Sequence, residues 1–243
     1  MSKSSSRDAL DFQIDEVKNL STTIADRLSE MIKEGQLRPG ERLVQVDLAS
    51  NFGVSRVAIR DALQHLRQRG LVINVQWKGT IVRPVSCKTV EDLFNVRAAV
   101  ESLATVEACS KMTKKDVTAL HGIIDEQVEL VRSSDFKSLI LKDWDFHRTI
   151  YNRCDNELLK DIIVGLWERM HQARSLAQAN SEWGLSWGQN SIARHRILLE
   201  SLEKGNCQES GEIMREMIHL AAEGLLKGLR DSGWGWSEEN HTR

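Results

Sequence analysis

Proline interrupts this chain only at Pro39 and Pro84, and beyond Pro84 the sequence runs to its end without another. So long a stretch without a breaker favours helices over a β-rich fold. The pattern before Pro84 is different. Leu20, Ile24, Leu28, Met31 and Ile32 recur at helical spacing, and Gly35 with the Pro39-Gly40 pair ends that run in a turn. A short second helix from Val46 to Phe52 stops at Gly53. Ser55 is placed to cap a third, whose apolar stripe is Val57, Ala58, Ile59, Ala62, Leu63 and Leu66, and Gly70 ends it. The period then becomes strand-like. Leu71-Val72-Ile73 and Thr80-Ile81-Val82 flank the connection Gln76-Trp77-Lys78-Gly79, which reads as a β-hairpin.

From Thr89 the period is helical again and predicts helices near residues 89–110, 114–132, 135–153, 157–178, 188–204 and 207–230. The expected fold is mainly α: an N-terminal winged helix-turn-helix followed by an antiparallel all-helical bundle. The expected boundaries are a flexible lead-in at 1–17, a winged module at 18–86, a helical domain at 87–232 and a polar tail at 233–243.

The net charge of −2 conceals an asymmetry. Residues 41–85 hold seven lysines and arginines against three aspartates and glutamates, whereas residues 87–243 hold 20 against 25. A basic block joined to an acidic one suits a nucleic-acid reader fused to another module. The polar stretch Met1 to Arg7 lacks the apolar core of a signal peptide. No run of about 18 apolar residues occurs, so a cytoplasmic protein without a membrane partner is expected. The cysteines Cys87, Cys109, Cys154 and Cys207 form no C-x-x-C, which argues against a zinc ribbon or redox motif. Single thiols in a reducing compartment are the expectation.

In a winged module the third helix enters the major groove through its first turns. Here those turns offer Ser55, Arg56, Val57, Ala58 and Arg60. Arg56 and Arg60 stand at i and i+4, on one face, where an arginine can grip a guanine edge or a phosphate. Lys78 and Gly79 form the wing tip. Any one of these arginines reads equally as a solvated surface residue; the turn, cap, hairpin and basic balance together point to DNA.

The run Leu37-Arg38-Pro39-Gly40-Glu41-Arg42-Leu43, then Leu48-Ala49, Gly53-Val54-Ser55-Arg56, Ile59-Arg60-Asp61-Ala62-Leu63 and Gly70-Leu71-Val72, closely resembles the GntR family of bacterial regulators. The resemblance covers about residues 20–85. It implies that Arg56 and Arg60 are the main DNA-contacting arginines and Gly79 the wing-tip glycine. Some members place a further arginine just before the second helix of the turn unit, where this chain has Val46.

Residues 89–230 resemble the FCD domain of the FadR-like branch of that family. The likeness rests on Asp92-Leu93 with Val96-Arg97 and Glu101, on Asp143 with Phe146-His147, on Asn156 near Leu158-Leu159, on His195-Arg196 with Leu198-Leu199, and on Met214-Arg215. It implies a helical bundle that binds a small organic acid, often through a divalent metal such as zinc, nickel or manganese, and so changes its affinity for an operator. The residues carry part of this independently. Asp143 and His147, one turn apart, project from one helix face and can grip one ion, and His195 lies on a later helix. A buried polar pair without metal is the competing reading. The family usually adds a histidine three residues after the Met-Arg pair; here Met217 stands there, with His219 off the apolar stripe. Effector contacts are assigned to Arg97, Glu101 and Met217. Arg97 reads either as an i,i+4 ion pair with Glu101 or as an inward arginine that takes a ligand carboxylate. Trp167, Trp183 and Trp187 read as core or pocket lining. His65, His121, His171 and His241 read as structural or surface residues.

These readings converge on a homodimeric repressor that meets two half-sites of a palindromic DNA operator and responds to a carboxylic acid. A constitutive DNA-binding regulator with a filled bundle is the alternative. A metal-dependent enzyme fused to a DNA module is a remoter one, for no nucleophile or base stands beside Asp143 and His147 as in H-E-x-x-H.

Overall fold

A computed structural model describes residues 20–177 and 181–231, leaving aside the side chains of residues 175–177 and 181–183. The lead-in 1–17 and the tail 233–243 lie outside the described residues. The chain divides between Pro84 and Val85 into two units, each with its own core.

The first unit is built on three helices: α1 (residues 20–33), α2 (Gln45–Phe52) and α3 (Arg56–Gln68). Their apolar stripes close on one another through Ile24, Leu28, Ile32, Leu48, Ile59 and Leu66. Gly53 ends α2 with φ of 65°, a left-handed conformation that glycine adopts without strain. Two residues on, the Ser55 hydroxyl accepts from the Ala58 N–H at 3.2 Å and starts α3. Strands β1 (Val72–Val75) and β2 (Gly79–Val82) then pair antiparallel, from Val72 opposite Val82 to Val75 opposite Gly79. Residues 40–43 lie along the other side of β2. Gly40 N–H donates to Val82 O and Leu43 N–H to Thr80 O. The turn after α1 thus fixes the wing to the helices.

Among the described residues the second unit has six helices: α4 (Cys87–Cys109), α5 (Lys114–Arg132), α6 (Phe136–Tyr151), α7 (Glu157–Ala177), α8 (Ser181–Glu203) and α9 (Cys207–Asp231). Reciprocal caps start α4 (Ser86 with Thr89) and α5 (Thr113 with Asp116). Helix α4 packs on α6, α7 and α9, and α5 packs on α6 and α8. Among the described residues no helix is long and apolar enough to cross a membrane.

Two expectations are corrected here. Helix α8 begins at Ser181 rather than near 188. Gly184 and Gly188 lie within it as close-approach positions. A Cβ at Gly184 would meet the Phe136 ring at 2.7 Å, and one at Gly188 would meet Leu139 Cδ2 at 2.7 Å and Val131 Cγ2 at 2.8 Å. The cysteines are not all single thiols. Cys109, ending α4, and Cys207, opening α9, are joined as a disulfide with Cα atoms 5.3 Å apart, while Cys87 and Cys154 are free. The chain returns between them through four helices, which spacing along the sequence does not reveal.

Overpacking a filled contact costs about 1–3 kcal/mol. Gly188→Val is therefore expected to destabilise the protein by about that amount in denaturant unfolding; unchanged stability would show that α8 does not lie this close to α5 and α6.

Candidate functional site

Helix α3 advances by about 100° per residue, so its first turn cannot show every side chain to one partner. Ser55, Arg56, Val57 and Arg60 are exposed. Ala58 is not: it lies in the core beside Ile59 and Ala62, which corrects its assignment to the DNA-facing set. Ser55 serves as the helix cap. Arg60 Nε lies 3.3 Å from Asp61 Oδ1 at an exposed position. Val46 is exposed on α2. At the wing tip Gly79 has φ of 78°. Beside Lys78 stands a residue that the sequence reading passed over: Trp77, 92 % exposed and with φ of 66°. A tryptophan so exposed offers a large rigid surface to a partner.

The helical unit encloses a polar chamber. Asp143 on α6 is buried, and both of its oxygens are engaged. Oδ2 accepts from Arg174 Nη1 of α7 at 2.7 Å, and Oδ1 accepts from Ser191 Oγ of α8 at 2.9 Å. His195 Nε2 stands 3.4 Å from the same Oδ1. Its ring is fully buried and stacked on Phe146 at 3.8 Å. Arg174 lies over Trp187, 4.7 Å from the ring centroid, and Trp167 is flanked by both Arg174 and Arg97. Met217, Ile218 and Ala221 of α9 complete a cavity of about 20 Å³, room for a single water or ion.

Hydrogen bonds fix how the two histidines face this space. Gln127 Oε1 lies 2.9 Å from His195 Nδ1; a carbonyl oxygen only accepts, so Nδ1 carries the proton and Nε2 keeps its lone pair. His147 Nδ1 lies 3.1 Å from the Tyr151 hydroxyl, which donates to Glu101 Oε2. That hydroxyl therefore accepts from His147, and His147 Nε2 is bare as well. Glu101 is held by Arg97, whose Nε reaches Oε1 at 2.6 Å and whose Nη2 reaches Oε2 at 3.2 Å. Gln127 satisfies His195, while its own buried Nε2 has no hydrogen-bond partner among the described residues.

Burial governs the protonation. It pushes His147 well below the ordinary imidazole range and His195 down to about 4, the nearby Asp143 charge offsetting only part of this. Burial alone would raise the Asp143 carboxyl, but the Arg174 guanidinium bonded to it holds it well below the usual carboxylate range. Burial and then Glu101 push the Tyr151 phenol far up. One carboxylate and two neutral imidazoles therefore converge, with one donor atom from each within 4.8 Å of the others. That donor set is chemically fit for a divalent transition metal.

Asp143, His147, His195, Arg97 and Met217 all line the cavity. Glu101 reaches it only through Tyr151. Arg97 forms the i,i+4 ion pair with Glu101, but buried in the bundle, and its guanidinium also meets Met170 Sδ. His219, His65 and His121 are exposed, as expected for surface residues. Trp183's side chain and His241 lie outside the described residues. The sequence reading missed Arg174, Ser191, Gln127 and Tyr151. Ser191 and Tyr151 each stand one helical turn from a named histidine, a legible signal; Arg174 and Gln127 come from other helices and left none.

The buried rings give the chamber a pH signature. Below the ordinary imidazole value of about 6.5 an unfolded histidine takes a proton that the folded ring refuses, so stability falls as pH drops from about 6.5 toward 4. The slope is at most about 1.4 kcal/mol per pH unit for each ring. Denaturant unfolding with a chelator present, at pH 7.5 and 5, is expected to show this slope in wild type and a shallower one in His195→Gln. Equal slopes would mean that His195 takes up its proton in the folded state.

Comparison with known proteins agrees with both halves. Residues 20–82 match the model of bacterial regulatory proteins, gntR family, and residues 92–220 match the FCD domain. The uncharacterised HTH-type transcriptional regulator YdhC of Bacillus subtilis is 25% identical over 81% of this chain and 86% of its own length. The HTH-type transcriptional regulator LutR of the same organism is 28% identical over 86% of this chain and 99% of its own length. The fold is shared with McbR/YncC of E. coli, with a TM-score of 0.72 at 21% identity over 86% of this chain and 97% of that one. A Rhodococcus regulator of the GntR type gives 0.71 at 20% over 85% and 97%. With a capped reader helix and wing in one unit and a buried polar chamber in the other, the chain belongs to the GntR family, in the group that carries the FCD domain, and is a DNA-binding transcriptional regulator rather than an enzyme.

Proposed function

We propose that this regulator is a homodimeric repressor whose hold on a palindromic operator is set by a small organic acid, and that the acid is taken up through a divalent metal in the chamber. The observation that carries this is the pair of imidazoles whose Nδ1 protons are both committed elsewhere, leaving each Nε2 bare, in a cluster where one donor atom from each ring and one from Asp143 lie within 4.8 Å of one another. Outer hydrogen bonds of this kind orient metal-ligating histidines. Asp143, His147 and His195 hold the ion, with zinc, nickel or manganese the fitting classes. Bound there, it supplies an electrophilic centre for a carboxylate. Met217 stands where a further imidazole would complete the set, and its thioether is a weak ligand for a hard ion, so one side stays open to the acid. Arg174 is the nearest cation for a second acid group.

Relatives named as repressors support the sign of regulation. The exposed Val96 and Leu103 of α4, with Leu158 and Ile162 of the adjoining α7, offer an apolar face for the second copy. A regulator of bacterial genes works in the cytoplasm.

One observation favours a second reading, a constitutive regulator with a closed chamber: Arg174 already balances Asp143, and the cavity holds no more than an ion. Metal analysis of the purified protein separates the two. About one equivalent is expected in wild type, with loss in His147→Ala and affinity weakened about 10–100-fold in Gln127→Leu. Wild type that stays metal-free after exposure to zinc, nickel and manganese would leave the second reading standing.

The reader is tested with an operator selected from random duplexes. Arg56→Ala and Arg60→Ala are each expected to cost about 1–3 kcal/mol of binding and to relax base preference. Trp77→Ala is expected to weaken all sequences alike, because an exposed ring at the wing packs on sugar and backbone rather than on a base edge. Unchanged affinity in all three would overturn this docking.

A further inference from the structure

Helices α4 and α9 pack antiparallel, and their backbones come close. Ser102 Oγ on α4 donates to Gly211 O on α9 at 2.8 Å. A Cβ at Gly211 would stand 2.4 Å from Val106 Cγ2, a distance that no side chain tolerates without movement. Where this seam ends, the last residue of α4 and the first of α9 are Cys109 and Cys207. Their Cα separation of 5.3 Å falls inside the range of about 4.4–6.8 Å that a disulfide spans.

The two sulfurs differ in access. Cys109 is 4 % exposed, whereas Cys207 is only half-buried. Cys207 also sits in the first turn of α9, where free backbone N–H groups favour a thiolate. The buried Cys154 is a poor competitor. It donates to Glu107 Oε2 at 3.0 Å, and burial together with that carboxylate pushes its thiol up.

We propose that Cys109 and Cys207 form a reversible thiol–disulfide switch that clasps α4 to α9 in response to small disulfides of the oxidised-glutathione class. The Cys207 thiolate attacks one sulfur of the small disulfide and expels the other half as a thiolate. The Cys109 thiolate then attacks the Cys207 sulfur and expels the second half. Two protein thiols give up two protons and two electrons, and one small disulfide becomes two thiols. Reduction reverses these steps, entering at the reachable Cys207 sulfur.

The clasp has reach because of what lies between its ends. The two cysteines are 98 residues apart, and the segment they enclose carries Asp143, His147, Arg174 and His195. Closing so long a loop removes much freedom from the unfolded chain. The helices it joins also carry walls of the chamber, Arg97 on α4 and Met217 on α9. Redox state therefore bears on the same helices that hold the chamber.

The test uses the full chain equilibrated in glutathione buffers from reducing to oxidising, followed by alkylation and peptide mapping, with Tm measured at each step. The expected result is a Cys109–Cys207 linked peptide that appears with oxidation and is lost on return to reduced glutathione. Tm is expected to be higher in the oxidised form by roughly 5–15 °C. Cys207→Ser, a half-buried substitution, is expected to keep the fold and lose both responses. Free alkylation of both cysteines across the whole range would overturn the proposal, as would a linkage that persists in reduced glutathione. None of these readouts involves metal, acid or operator, so the switch stands or falls apart from the functional reading.

Discussion

Two arginine–carboxylate pairs buried in one chamber set the terms for the helical unit. Each charged group gives up several kcal/mol of hydration when buried, and only close geometry with further hydrogen bonds returns it. Both pairs meet that condition. Arg97 and Glu101 engage through two separate contacts, and Arg174 meets one Asp143 oxygen while Ser191 meets the other. Trp167 lies against both guanidinium groups and Trp187 against Arg174, so the rings cover cations rather than merely filling space. The pairs also fix the helices. Arg97 and Glu101 stiffen one turn of α4, while Arg174 and Ser191 draw α7 and α8 onto α6.

The same pairs determine what the histidines can do. Glu101, oriented by Arg97, takes the phenol proton of Tyr151, and that leaves Tyr151 only an acceptor for His147. On the opposite side Gln127 does for His195 what Tyr151 does for His147. Two unrelated outer groups thus impose one tautomer on two rings, and burial keeps both rings neutral. Arg97, held in its i,i+4 pair with Glu101, stands at the far end of a relay that aims His147.

What was legible in the sequence follows from the range of the forces involved. The reader and its wing were visible because helix stops, the Ser55 cap and the change of period are local. Asp143 and His147 were visible because one turn separates them, and His195 came from resemblance to the FCD domain. Ala58 was misplaced because a list of first-turn residues ignores rotation about the helix axis. Arg174 and Gln127 were out of reach: their partners lie 31 and 68 residues away, and only the packed bundle joins them. The Cys109–Cys207 pair was hidden by the same distance, since a search for C-x-x-C sees only neighbours. The start of α8 was misplaced because Gly184 and Gly188, weak helix formers by themselves, are set by close approach to Phe136, Leu139 and Val131, which only the packed bundle supplies.

Charge balance connects the chamber to regulation. Two arginines and two carboxylates with two neutral imidazoles sum to zero, so the buried set is complete as it stands. An anion entering alone would face Asp143 and Glu101 with both arginines already committed. A divalent cation entering alone would leave two uncompensated positive charges in a closed space. Together their charges offset one another, fully so for an acid with two carboxylates, so on the proposed reading each raises the affinity of the other, and by the same factor. The cavity of about 20 Å³ adds a steric condition, because an acid larger than an ion fits only if lining residues such as Arg174 or Trp187 shift. Those residues sit on α7 and α8, so on the proposed reading an acid that meets both conditions acts on the packing of these two helices. That is what a sensor requires: a ligand without a differential effect on two arrangements of the protein shifts no equilibrium.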